Sequence, residues 1–334
     1  MNRFQKFAAG ALVSVLLLIF VGAIVRVTGA GLGCPDWPTC WGCLVPPWKV
    51  EQVDLDKIDF EKFQRKAERL GRDASSVTPE AILDSFTPRH VWTEFINRLC
   101  SLPVGFFSVA TLIAAFGRPR GQRVVWWTSL VSLILVLVNA AMGARVVYSG
   151  LSPGVLTVHM ALAMLLMGLL AFTVWRGTDR PSCLPLREGT SGKVRAWVVV
   201  LLLLVVIEGI MGTQIREMTD EMAKAHDGAP RQQWIAELEG SALYLAHRSF
   251  SWAILVVTLL AYGVTRRASL GSPGRAAHVV LGMVLIQMIL GVVMAQVHIY
   301  AAVQVLHVGL AGVLLTGVVF WLCQTVRIPS ESQP

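Results

Sequence analysis

Long apolar runs alternate along this chain with short polar breaks, and eight of the runs are long enough to cross a hydrocarbon core of about 30 Å. They fall at about Ala8–Val27, His90–Phe116, Val124–Val147, Gly154–Trp175, Ala196–Ile215, Ala242–Val264, Ala277–Val297 and Ala301–Val326. The breaks sort by charge. Arg3 and Lys6 precede the first run, and Arg118, Arg120 and Arg123 follow the second. Arg176, Arg180, Arg187, Lys193 and Arg195 separate the fourth from the fifth, and Arg266 and Arg267 follow the sixth. Basic residues on alternate breaks are the positive-inside pattern. The prediction is an all-α membrane protein of eight transmembrane helices with both termini cytoplasmic. Two longer outer segments are expected, 29–88 and Arg216–Gly240. The stretch from about Val50 to Glu80 has a helical period and predicts a surface helix.

Composition agrees with this pattern. The 334 residues are 54% hydrophobic and 15% charged, with a mean hydropathy of +0.61, which excludes an ordinary soluble domain. The net charge of +8 lies on the inner flanks rather than in an aromatic-interleaved basic patch. The partner implied is therefore the lipid bilayer, not nucleic acid. The first run is too long for a signal-peptide core and has no small-residue cleavage site after it, so it is expected to be retained. No Arg/Ser-rich transit peptide precedes it. The bacterial plasma (inner) membrane, crossed several times, is the expected location.

The two halves of the chain resemble each other. Gly22-Ala23-Ile24-Val25-Arg26 closes the first run and Gly212-Thr213-Gln214-Ile215-Arg216 closes the fifth. Asn97-Arg98 matches His247-Arg248. Gly143 and His159 are sixteen residues apart, as are Gly291 and His307. Asn139 and Gln287 each stand four residues before that glycine. A parallel repeat of two pseudo-symmetric four-helix bundles follows. The expected units are residues 1–176, a cytoplasmic linker 177–195, and residues 196–334, with the long loop 29–88 belonging to the first.

Polar residues inside such runs carry the candidate chemistry, because they are costly in lipid and usually face a bundle interior. His90, Glu94 and Asn97 stand at i, i+4 and i+7 and share one helix face; Arg98 can pair with Glu94 at i+4. His159, His247 and His307 sit at matched outer ends. A neutral imidazole at that depth needs a partner or a metal. Two histidines facing across a four-helix bundle are one way to hold a b-type haem, so His247 and His307 read as a bis-His haem b site. A zinc site is disfavoured because Cys and carboxylate ligands are expected to be missing around that pair. The first half keeps His159 but has Asn97 where the repeat expects an imidazole, with His90 a possible substitute. A partly open iron beside Glu94 suits chemistry, while a saturated one suits electron transfer. Arg26, Arg98, Arg216 and Arg248 lie at the outer mouth, where they could pair with haem propionates or snorkel to the interface. Cys34 and Cys40 flank Pro35-Asp36-Trp37-Pro38-Thr39 on the outer side, where a disulfide can form and Cys43 could compete for it. Glu208, inside the fifth run, has no assigned role at this level.

Taken together, Gly29-Ala30-Gly31-Leu32-Gly33-Cys34-Pro35-Asp36-Trp37-Pro38-Thr39-Cys40, Glu94-Phe95-Ile96-Asn97-Arg98, Gly212-Thr213-Gln214-Ile215-Arg216-Glu217 and His247-Arg248 resemble the haem A synthase family. The resemblance covers nearly all eight spans. It implies oxidation of the haem O methyl to a formyl by successive hydroxylations, supplying haem A for terminal oxidase assembly. It implies haem b on His247 and His307, substrate haem on His159, a catalytic role for Glu94, and a Cys34–Cys40 disulfide. A haem O synthase and an electron acceptor are the partners it implies. Two departures stand out: Asn97 replaces the usual histidine of the second span, and Arg216–Gly240 carries no second cysteine pair. A b-type electron-transfer protein without its own catalysis is the alternative; a transporter would need broken helices and midplane polar groups.

Overall fold

The fold is taken from a computed structural model. It describes residues 1–69, 73, 75, 77–118, 123–226, 229–230, 233–296 and 300–326. Arg120 and Val297, named above, lie outside the described residues. Twelve α-helices are present among the described residues: α1 Arg3–Val27, α2 Phe60–Arg69, α3 Pro79–Asp84, α4 Pro88–Leu99, α5 Leu102–Phe116, α6 Arg123–Tyr148, α7 Val155–Arg176, α8 Ser191–Ala225, α9 Ile235–Gly240, α10 Ala242–Ala268, α11 Arg275–Gln296 and α12 Ala301–Gln324. Eight spans are long and apolar enough to cross a membrane, with α4 and α5 together making the second.

Three stretches differ from the sequence expectation. The second span is interrupted at Cys100–Ser101. Pro103 explains this, since it lacks an amide hydrogen and its ring crowds the carbonyl four residues back, at Leu99. The fifth span does not stop at Ile215 but runs on to Ala225. Residues 216–225 contain no proline or glycine, and Arg216 and Asp220 form an i,i+4 ion pair at 3.2 Å that favours continuation. The surface helix expected over Val50–Glu80 is instead a series of short pieces. Asp54 caps a one-turn 3₁₀ segment at Leu55–Lys57, and Thr78 with Pro79 starts the new helix α3. Trp41, Ile58, Ile82, Phe86 and Val91 form a small apolar core beneath this outer layer.

The spans close into two rings. α1 packs on α5, α5 on α6, α6 on α7, and α7 back on α1. α8 packs on α10, α10 on α11, α11 on α12, and α12 back on α8. The rings meet where α12 contacts α1 and α7, and α7 contacts α8. The main core lies along this seam, with Met167, Leu170, Val198, Leu201, Val318 and Trp321 fully buried. Accordingly 44% of the apolar window of α12 is buried, against 11% for α10 on the periphery. Lipid offers no hydrophobic drive between helices, so close packing must hold the seam. Gly309 illustrates this. A Cβ there would come within 2.1 Å of the Phe20 ring, so the aromatic side chain of α1 rests on bare backbone of α12.

The linker is pinned at the other end of the spans. Leu184 donates to the Gln324 carbonyl, Arg187 to Ala268, and Leu270 to Pro185, each through its backbone amide at 2.8 Å. Arg118 pairs with Asp179 at 3.0 Å, and Asn2 donates to the same carboxylate. Those two donors hold Asp179 below the usual carboxylate range.

Candidate functional site

At the outer end of the first ring, a disulfide joins Cys34 to Cys40, while Cys43 remains a thiol whose backbone pairs with that of Cys40. Asp36 organises the loop from inside. It accepts from the amides of Trp41 at 2.7 Å and Gly42 at 3.0 Å, and from the Thr39 hydroxyl. The loop lies directly on α4. A Cβ on Gly33 would fall 2.3 Å from the His90 carbonyl oxygen, so only glycine permits this approach.

Arg98 locks the contact. Its Nη1 donates to the carbonyls of Asp36 at 2.7 Å and Thr39 at 2.8 Å, its Nη2 to Cys34 at 3.1 Å, and its Nε to Glu94 Oε1 at 3.3 Å. Four of the five guanidinium donors are therefore engaged within the protein. Glu94 is 5% exposed. This differs from the mouth role expected for Arg98. The guanidinium ties the carboxylate to the disulfide loop and has one donor left for anything else.

On the same α4 face, the Asn97 side-chain oxygen is buried and has no hydrogen-bond partner. It faces Gly22 of α1, where a Cβ would be 4.0 Å away. His90 is half-buried on the first turn of α4. His159, on α7, turns its Cε1 to Gly143 of α6, 3.7 Å from a Cβ built there. Its Nδ1 is buried without a hydrogen-bond partner.

The second ring holds the other two candidate histidines. His247, on α10, sets its Cε1 3.5 Å from a Cβ built on Gly212 of α8. His307 lies on α12, which packs on both α11 and α8 of the same ring. The Nδ1 atoms of both histidines are buried without a hydrogen-bond partner. Gln287 of α11 donates to the His307 carbonyl at 2.9 Å, whereas Asn139 bonds within α6, to Leu135, at 3.0 Å. The sequence reading expected no carboxylate near this pair, and here the structure corrects it. Glu208 Oε1 stands 3.3 Å from His247 Nδ1, close but not aligned as a hydrogen bond, and accepts from Ser251 Oγ at 2.6 Å. This pairing is hidden in the sequence because it joins two different spans. Among the described residues, no group of three or more His, Cys, Asp and Glu converges as a metal cage.

The outer mouth is a network across the rings. Arg26 of α1 ion-pairs with Asp220 of the α8 extension, and Arg216 donates to the Arg26 carbonyl at 3.1 Å. Arg26 Nη1 and Arg216 Nε are buried donors without an acceptor. Arg248 is exposed, and among the described residues it makes no ion pair. Glu217 is a functional candidate that sequence reasoning missed. Its carboxylate accepts from the Gly154 amide at 3.1 Å, the Thr157 amide at 2.9 Å and the Thr157 hydroxyl at 3.1 Å. It thus caps the N-terminus of α7, the helix that carries His159, from the opposite ring. The signal was present in the Gly212–Glu217 motif, but it is readable only once α8 is known to continue.

The family profile of COX15-CtaA, described as cytochrome oxidase assembly protein, matches residues 5–319. The chain is 24% identical to a haem A synthase of Rhizorhabdus wittichii, over 96% of this chain and 93% of that protein. It is 23% identical to a haem A synthase of Bartonella tribocorum, over 94% and 90% of the two chains. A haem A synthase of Wolbachia pipientis is 24% identical over 93% and 89%. A match that takes in all eight spans, together with the outer loop and its disulfide, places this protein in the COX15-CtaA family of cytochrome oxidase assembly proteins.

Proposed function

We infer that this protein is a haem A synthase of the bacterial inner membrane, an oxidoreductase that converts the methyl group of haem O to the formyl of haem A. The family and the likeness to haem A synthases along nearly the whole chain carry the activity. The observation that carries the site is a set of three glycines and the side chains they face. Gly22, Gly143 and Gly212 each face the side chain of Asn97, His159 or His247 from the neighbouring helix, and Gly291 stands at the fourth matched position. The same pairing of a glycine with a polar side chain from a neighbouring helix thus recurs in both halves, which supports one kind of ligand in each.

The donor set fits haem. Imidazoles at matched places in the spans suit iron, and buried guanidinium donors of Arg26 and Arg216 suit carboxylates such as propionates. In this reading residues 1–176 form the substrate bundle and residues 196–334 the haem b bundle, related by pseudo-symmetry, with 177–195 as the cytoplasmic linker. His159 would hold haem O, and Asn97 and His90 would line its pocket. His247 and His307 hold haem b, which supplies a one-electron relay when bound. Arg26, Arg216 and Arg248 receive propionates; Arg98 acts chiefly through Glu94. Glu94, buried and oriented by Arg98, accepts a proton or stabilises positive charge as the methyl is oxidised. The basic residues of the linker, with Arg118, Arg120 and Arg123 in the sequence, support a cytoplasmic side for both termini. A haem O synthase supplies the substrate and an electron acceptor takes the reducing equivalents.

Pigment extraction after co-expression with a haem O supply tests the reading. The wild type should yield haem A, and Glu94→Gln should retain haem b but yield none. Haem A from Glu94→Gln at the wild-type rate would remove Glu94 from the mechanism. Absence of haem A from the wild type would overturn the function itself.

A further inference from the structure

Glu208 lies inside the α8 span, about two turns before Arg216. Its side chain is 16% exposed. An acid within a span is costly and usually has a partner that explains it. Ser251 supplies one hydrogen bond at 2.6 Å, and the same hydroxyl lies 3.0 Å from the His247 carbonyl. Oε2 is buried with no partner at all. The remaining group beside the carboxylate is His247 Nδ1, 3.3 Å from Oε1.

The repeat provides a second, independent observation. Glu208 stands four residues before Gly212, and the position four before Gly22 is Leu18. His247 matches Asn97. The half with an imidazole at this place therefore has the acid, and the half with an amide has a leucine. The pairing of His247 with Glu208 is one unit that the first half lacks.

We propose that Glu208 is a positioning residue for His247, accepting the Nδ1 hydrogen so that the Nε2 lone pair faces the bundle interior for iron. The inference rests on His247 being a haem b ligand. At 3.3 Å, Nδ1 is already close to Oε1. The carboxylate then fixes the tautomer and the ring orientation and raises the basicity of the ligand. Its negative charge, in a poorly screened interior, also favours the ferric over the ferrous state and so lowers the reduction potential of the bound haem.

The test is a spectroelectrochemical titration of the purified full-length protein, with haem b content measured alongside. Glu208→Gln should raise the midpoint potential, keep the low-spin spectrum and weaken haem b retention by about 10–100-fold. Ser251→Ala should act in the opposite sense, because the carboxylate is left with His247 alone, and the potential should fall. This second variant serves if Glu208→Gln does not fold. An unchanged potential in both variants, with the b spectrum lost in His247→Ala, overturns the role of Glu208 and leaves the site standing. A b spectrum that survives His247→Ala overturns the site, whatever Glu208 does.

Discussion

Arg98 offers the sharpest test of how the outer loop and the buried carboxylate are held together. Replacement by lysine preserves the charge but not the fork. An ammonium has three donors on one atom, whereas the guanidinium here makes four bonds spread over three carbonyls and Glu94. One or two of those bonds must be lost. A hydrogen bond involving a charged group is worth about 1.5–3 kcal/mol, and neighbours in one network do not add fully. The loop should therefore dock on α4 more weakly by about 2–4 kcal/mol. At about 1.4 kcal/mol per factor of ten, its open population rises by about 30–1000-fold. Both sulfurs of the disulfide are buried, at 0% and 1% exposure, so a water-soluble phosphine reaches them only through opening. The rate of reduction and subsequent alkylation of Cys34 and Cys40 should rise in Arg98→Lys by that factor, and more in Arg98→Ala. Haem A formation should fall in both, since Glu94 loses the group that orients it. Wild-type reduction rates in both variants would refute the clamp.

Two further substitutions probe the contacts between the rings. Glu217→Ala removes three hydrogen bonds at the start of α7 and should cost about 2–4 kcal/mol, with Glu217→Gln losing about half of that; thermal unfolding in detergent measures it, and equal melting of all three proteins would dismiss the cap. Gly309→Ala forces a Cβ against the Phe20 ring and should cost about 1–3 kcal/mol, partly relieved in the double variant with Phe20→Leu; a melting temperature that the glycine substitution leaves untouched would show that the seam can yield.

The spans were legible because apolar runs of this length have few other structural solutions, and the charge of the breaks orders them. The histidines and Glu94 stood out for the same reason, as polar residues where polarity is expensive. What the sequence hid is of another kind. Arg98 chooses the carbonyls of Cys34, Asp36 and Thr39, and backbone acceptors have no residue-type signature. Glu208 and His247 come from different spans, so no local spacing joins them. The break before Pro103 could have been read, but the strongly apolar run after it draws α4 and α5 into one apparent span. Glu217 looked like a loop residue because the apolar pattern ends at Ile215, while helix propensity and the Arg216–Asp220 pair carry the helix further.

The cap that Glu217 places on α7 bears on the divisibility of the molecule. A repeat assembled from two self-sufficient units should be separable into them. Here the helix carrying the proposed substrate ligand begins on a side chain borrowed from the other unit, so severing the polypeptide at the linker would leave the first unit with an unfinished helix and the second with a stranded acid.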